Sequence, residues 1–209
     1  MHIGVPREIK PLEGRVGLIP AACSGLVSAG HAVYIESGAG AQSGYSDEAY
    51  RAAGAQITAN AAELYEQGQL IVKVKEPLEG DLRYLRSDHI LFSYLHLAAN
   101  AALTRKLCSI GLTALAFETV QLASGELPLL APMSDIAGRL SVHLGAHLLH
   151  QPQGGKGLLL GGLAGAERGR VTVIGGGTAG GNAVRVAAAL GAGVTVFDRK
   201  RRKLEAMRE

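Results

Sequence analysis

Apolar and polar positions along the chain follow two periods that take turns. Short runs dense in Val, Ile and Leu predict strands at Ile3–Val5 and in HAVYIESGAG, LIVKVKEP, HILFSYLHL and LTALAFETV. Between them the spacing becomes helical. Pro20 opens a helix through Val27 that Gly30 closes, and Ser46 caps a second that ends at Gly54 and carries Glu48 in its first turn. A third covers Ala61–Gln67, and NAALTRKLCSIG forms a fourth with Gly111 at its end.

A long helix is predicted from Ser134, read as its N-cap, to His150, because Ile136, Leu140, Leu144 and Leu148 recur every four residues. QPQGGKGLLLGGLAGAERG then reads as an irregular connection with one short strand, LLL. The strand VTVI, a glycine turn, a helix in AVRVAAALG, the strand VTVFD and a short basic helix, KRRKLEAMRE, complete the chain. Strand–helix alternation predicts parallel sheets covered on both faces. The fold class is therefore α/β: two Rossmann-like parallel-sheet lobes joined by a long helix, the second lobe incomplete. The boundaries are residues 1–133 for the first lobe, 134–150 for the bridging helix and 151–209 for the start of the second lobe.

Composition narrows the class. Hydrophobic residues make up 47% of the 209 positions and charged residues 19%, enough for packed cores and unlike a disordered chain. Net charge is only +3, and the basic surplus gathers in DRKRRK, so no nucleic-acid partner is expected. No apolar run approaches the ~20 residues of a membrane span, and the N-terminus lacks the apolar core of a signal peptide. A cytoplasmic protein with no membrane contact is expected. The two cysteines, Cys23 and Cys108, read as buried free thiols. His143, His147 and His150 share a helix face without an acidic or thiol partner, so no metal site is expected. GGKG at 154–157 lacks the spacing of a phosphate loop.

Chemistry concentrates in two places. Gly175, Gly177 and Gly180 fit G-x-G-x-x-G between a strand and a helix. The first glycine permits the tight turn, the second lets a pyrophosphate approach the backbone, and the third lets helix and strand pack closely. Asp198 follows 23 residues after Gly175, where a carboxylate accepts from ribose hydroxyls and favours NAD over NADP. In the first lobe, polar residues stand at strand ends: Arg15 after the first strand, Lys75 after LIVKV, and His96 after LFSYL. An Arg fork and a Lys charge suit a small carboxylate, and a His can move protons near neutral pH. Spacing alone does not assemble the three into one site.

A resemblance does. PREIKPLEGRVGLIP, ESGAG, LIVKVKEP, LFSYLHLAAN, FETVQ, LPLLAPMSDIAGR and VIGGGTAGGNA, in this order, resemble the alanine dehydrogenase family over essentially the whole chain. The resemblance implies NAD-dependent, reversible oxidative deamination of L-alanine to pyruvate and ammonium by a homo-oligomer, usually a hexamer. It implies that Arg15, Lys75 and Met133 bind substrate and that His96 is the catalytic acid–base group. Ser134, Gly175, Gly177, Thr178, Ala179, Gly180, Asp198 and Lys203 would contact NAD. The nucleotide-binding subunit of proton-translocating transhydrogenase is similar in fold but lacks counterparts of Lys75 and His96. The family's chains are longer, with further strands for the nicotinamide and a catalytic aspartate. This chain is thus expected to be C-terminally truncated, inactive alone and partly unfolded or aggregating beyond about residue 150. A non-catalytic product that binds a carboxylate or partner subunits is the alternative from another class.

Overall fold

The computed structural model describes residues 1–207; Arg208 and Glu209, the end of the predicted basic helix, lie outside the described residues. The chain divides into two compact units, Met1–Gln121 and Leu122–Glu209. The division falls at 121/122, and the long helix lies within the second unit.

The first unit contains β1 (His2–Val5), α1 (Pro20–Ser28), β2 (Ala32–Glu36), α2 (Asp47–Ala52), β3 (Gln56–Thr58), α3 (Ala61–Gln67), β4 (Leu70–Val72), α4 (Glu79–Leu82), β5 (Ile90–Ser93), α5 (Ala101–Ile110) and β6 (Thr113–Ala116). The strands form one parallel sheet in the order β3-β2-β1-β4-β5-β6. Side chains alternate across it. Consecutive residues of β4 show this: Ile71 joins a core with Leu64, Tyr65 and Leu91, and Val72 joins another with Val5, Ile35 and Tyr50. Burial on both faces explains why the strands read as apolar runs.

Helix ends follow local chemistry. The Ser46 hydroxyl accepts from Ala49 N–H, and Asp47 and Glu48 occupy the first turn, where carboxylates suit the dipole. Gly30 and Gly111 adopt φ of +84° and +80°, which releases the chain from α1 and α5 without a Cβ penalty. The three-residue β3 was not anticipated; it is an edge strand on β2, too short to show a period. Cys23 is buried, and burial pushes its thiol up to about 11. Cys108 is exposed on α5, contrary to expectation, because Leu103 and Leu107 supply that helix's buried face.

The second unit contains α6 (Ala131–Leu148), β7 (Arg170–Ile174), α7 (Thr178–Ala189), β8 (Gly193–Phe197) and α8 (Arg201–Glu205), with β7 and β8 parallel. Two sequence expectations need correction. Helix α6 starts at Ala131, because Pro132 is favoured in a first turn; Ser134 is inside the helix rather than its cap. Residues 158–160 form no strand, although Leu160 is buried in the unit's core. The stripe of Ile136, Leu140, Leu144 and Leu148 that marked α6 points outward, each residue more than half exposed. The buried face is the small-residue one, Gly138 and Val142. A Cβ on Gly138 would stand 2.1 Å from the Ala179 carbonyl oxygen, so close backbone approach of α6 and α7 selects glycine there.

Candidate active site and nucleotide turn

In the first unit the chain runs outward from β1 through β2 to β3, then returns to β4 beside β1 and continues the other way. That reversal is a switch point, where loops after neighbouring strands part and leave a crevice at their carboxyl ends. The loop after β1 carries Arg7, Glu8, Lys10, Glu13 and Arg15; the segment after β4 carries Lys73, Lys75 and Glu76. Tyr94 and His96 follow β5, and Glu118 follows β6.

A buried charge cluster underlies this edge. Lys73 is fully buried and pairs with Glu8 at 3.5 Å and Asp81 at 3.4 Å. The Tyr65 hydroxyl donates to Asp81 Oδ1 at 3.0 Å, and Asp81 Oδ2 accepts Leu78 N–H at 3.0 Å. Glu8 Oε1 accepts Val74 N–H at 2.7 Å, which anchors the backbone next to Lys75. Burial raises the Glu8 carboxyl, and the Lys73 charge only partly offsets this.

Glu13 grips Arg15: Arg15 Nε and Nη2 donate to its two oxygens at 2.8 and 2.6 Å, and the Arg15 backbone N–H donates at 3.0 Å. These hydrogen bonds, first among the causes, hold the Glu13 carboxyl down at about 2, and the half-buried Lys75 adds its charge to the same effect. Tyr94 is raised by burial and lowered by the charge of Arg15. Its ring lies 6.4 Å from that of His96. Glu13 thus feels the charge of Lys75 as well as its hydrogen bonds to Arg15, and Tyr94, near the His96 ring, feels the charge of Arg15.

His96 has φ of +52°, uncommon for a residue with a Cβ. Glu118 accepts the backbone N–H groups of His96 at 2.7 Å and Leu95 at 3.3 Å. The imidazole is half-exposed, with Nδ1 at 3.7 Å from Glu76 Oε2. Two cations, an imidazole and a crevice edge can together hold a small acid and move a proton beside it. The sequence reading missed Glu8, Glu13, Lys73, Glu76, Asp81 and Glu118, whose roles depend on partners up to 66 residues away in the chain.

In the second unit the glycine turn joins β7 to α7. Gly175 has φ of +99°, and a Cβ on Gly180 would stand 1.8 Å from the Gly175 carbonyl oxygen, so neither tolerates a side chain. Gly177 is the α7 N-cap without a side-chain capping bond, and a Cβ there would meet open space. The helix N–H groups thus face room for an anionic group. Asp198 follows β8; its carboxylate accepts Lys200 N–H and Gly176 N–H, each at 2.7 Å, which lowers it below the usual range. Gly175, Asp198 and Lys203 line a cavity of about 960 Å³ with Arg199 and Lys200. Ser134 and Thr178 line another of about 440 Å³. Thr178 is set by Asn182, whose buried amide donates to the Thr178 carbonyl at 2.9 Å and to Asp135. Ala179 occupies the α6–α7 contact, and Met133 is half-buried in the first turn of α6. A third cavity, about 520 Å³ among α6, α7 and β7, is mainly apolar. Among the described residues no group of three or more His, Cys, Asp or Glu could hold a metal, and no helix is long and apolar enough to cross a membrane.

A switch-point parallel sheet followed by a strand–glycine turn–helix unit defines a Rossmann-like α/β protein. The chain belongs to the alanine dehydrogenase/PNT family, whose N-terminal domain matches residues 4–137 and C-terminal domain residues 141–209. It is 50% identical to an alanine dehydrogenase of Methanococcus maripaludis over 98% of this chain and 55% of that one. A solved L-alanine dehydrogenase superposes with a TM-score of 0.92 at 49% identity, over 99% of this chain and 57% of the other. The transhydrogenase from Sinorhizobium meliloti gives 0.83 at 25% identity, over 100% and 62%. The chain spans about half the length of the relatives it matches.

Proposed function

We propose that the protein to which this chain corresponds catalyses reversible, NAD-dependent oxidative deamination of L-alanine to pyruvate and ammonium as a cytoplasmic homo-oligomer. In this reading the first unit binds the amino or keto acid and the second unit begins the NAD site. What supports it is the topology: Arg15, Lys75 and His96 follow β1, β4 and β5, three neighbouring parallel strands of one sheet, and the rings of Tyr94 and His96 lie 6.4 Å apart. The Arg15 guanidinium binds the substrate carboxylate, kept in place by Glu13. The Lys75 ammonium hydrogen-bonds the carbonyl oxygen of pyruvate, or its imine equivalent. His96 holds the proton exchanged with water or the departing amine at the substrate C2. The family resemblance also gives Met133 a substrate-binding role.

The glycine turn fits a pyrophosphate, because Gly177 leaves open space before the α7 N–H groups. Asp198 accepts from the ribose, and Gly175, Thr178, Ala179, Gly180, Ser134 and Lys203 complete the contacts. NAD supplies the hydride-accepting ring. A transhydrogenase-like nucleotide-binding subunit would have no use for Lys75 and His96 in these places.

Calorimetric titration with pyruvate tests the substrate reading. Saturable binding is expected, weakened at least tenfold by Arg15→Ala in a protein whose circular dichroism is unchanged. Absence of saturable heat from the native chain contradicts it. For the cofactor, NAD should bind more tightly than NADP, and Asp198→Ala should narrow the difference; equal affinities refute the Asp198 assignment.

A further inference from the structure

We propose that Glu76 is a positioning residue for His96: its carboxylate accepts the Nδ1–H of the imidazole and so reserves Nε2 as the nitrogen that takes and gives the proton. The inference rests on the reading of His96 as the acid–base group. Glu76 Oε2 lies 3.7 Å from His96 Nδ1. That oxygen is buried and, among the described residues, has no hydrogen-bond partner. The other oxygen, Oε1, accepts from Lys10 Nζ. One side of the carboxylate is thus anchored, and the other presents an unsatisfied acceptor near the imidazole. A shift of roughly 0.8 Å makes the contact a hydrogen bond, the kind of tightening that apo sites leave for the bound state.

The backbone restricts the alternatives. Glu118 holds the His96 main chain at φ +52° through two N–H groups, so the ring moves only about its own side-chain bonds. The groups around the ring are Glu76 from the segment after β4, Lys10 behind it from the loop after β1, and Tyr94 from its own segment, with Arg15 reaching Tyr94 electrostatically. Of these, Glu76 brings an anionic acceptor within 4 Å of a ring nitrogen. Burial pushes the Glu76 carboxyl up, but the Lys10 hydrogen bond and the charges of Lys10 and His96 leave it below the usual range, as an acceptor must be. When one imidazole nitrogen is bound in this way, the other is committed to the chemistry.

The test is ¹⁵N NMR of the histidine ring nitrogens in the 209-residue chain without substrate, at about pH 9, where an ordinary imidazole is neutral. His96→Gln identifies the signals. The native chain should show His96 with Nδ1 protonated and Nε2 bare. Glu76→Ala should switch it to the Nε2–H form, whereas Glu76→Gln, which keeps an oxygen acceptor, and Lys10→Met, which keeps the carboxylate, should preserve Nδ1–H. His89 is the internal gauge of folding: its Nδ1 accepts Arg86 N–H at 3.1 Å and its Nε2 contacts the Tyr65 carbonyl at 3.0 Å, which fixes the opposite tautomer. An Nε2–H signature for His96 in the native chain overturns the proposal, even if Glu76→Ala fails to fold. So does a folded Glu76→Ala that leaves Nδ1–H in place. Neither result bears on pyruvate binding, which the titration decides separately.

Discussion

Glu118 holds His96 by its backbone. One carboxylate oxygen accepts the His96 N–H at 2.7 Å, the other accepts the Leu95 N–H at 3.3 Å, and His96 is left-handed at φ +52°. The loop after β6 therefore fixes the residue after β5 that the proposed chemistry needs. A left-handed residue with a side chain persists only where its surroundings over-determine it.

Glu118→Ala should cost about 1 kcal/mol, because the part-buried Leu95 N–H loses its acceptor while the His96 N–H, at an exposed site, can turn to water. It should also weaken pyruvate binding while leaving the second unit unaffected. Denaturant unfolding and hydrogen exchange at the His96 amide measure this. An unchanged exchange rate would show that Glu118 is not the clamp.

Lys73→Met should be more damaging. Its ammonium is fully buried between Glu8 and Asp81, and removing one member of such a set strands the others, at about 3–5 kcal/mol. Adding Glu8→Gln and Asp81→Asn should recover part of the loss, since no uncompensated charge then remains. Equal unfolding midpoints for the single and triple variants contradict the argument.

Acid stability should carry the signature of Glu13. Its carboxyl sits at about 2 when folded, against an ordinary 4.5. The folded state binds this proton less readily, so the contribution is complete above pH 4.5 and is lost as pH falls towards 2. Glu8, raised by burial, has the opposite sign, because its folded state holds the proton longer and loses stability as pH rises. Subtracting the Glu13→Gln curve from the native one isolates the first effect. A flat difference across that window would rule it out.

Gly180→Ala should disrupt the nucleotide turn. The added carbon would stand 1.8 Å from the Gly175 carbonyl oxygen, and the obstruction is backbone rather than a yielding side chain. A loss of roughly 3 kcal/mol or more in the second unit, of the size expected for severe overpacking, and loss of NAD binding are expected. Thermal unfolding with an NAD titration checks both. Retained NAD affinity would show that the turn tolerates the methyl group.

Element type was legible wherever period and punctuation agreed. Ser46, Pro20, Gly30 and Gly111 mark helix ends through interactions within a few residues, so the chain announces them locally. The start of α6 was misplaced because a proline rule competed with a plausible serine cap. Its apolar stripe gave the right helix and the wrong face, since what α6 buries is set by the closeness of α7 at Gly138, a tertiary fact. In the first-unit site, Arg15, Lys75 and His96 stood out as chemistry-bearing residues at strand ends, and the family resemblance joined them. The carboxylates that hold them did not stand out. Glu8 meets Val74, and Lys10 meets Glu76, across 66 residues, pairings that follow only from β1 and β4 being neighbours.

The central claim, that residues 15, 75 and 96 serve one small-acid site, is tested most directly by titrating pyruvate into isotope-labelled chain. The measurement is of shifts at the Arg15 and Lys75 amides and the His96 ring. The account predicts that all three signals move along one saturating curve with a shared dissociation constant. Separate curves, or no saturable movement at any of the three, would contradict it.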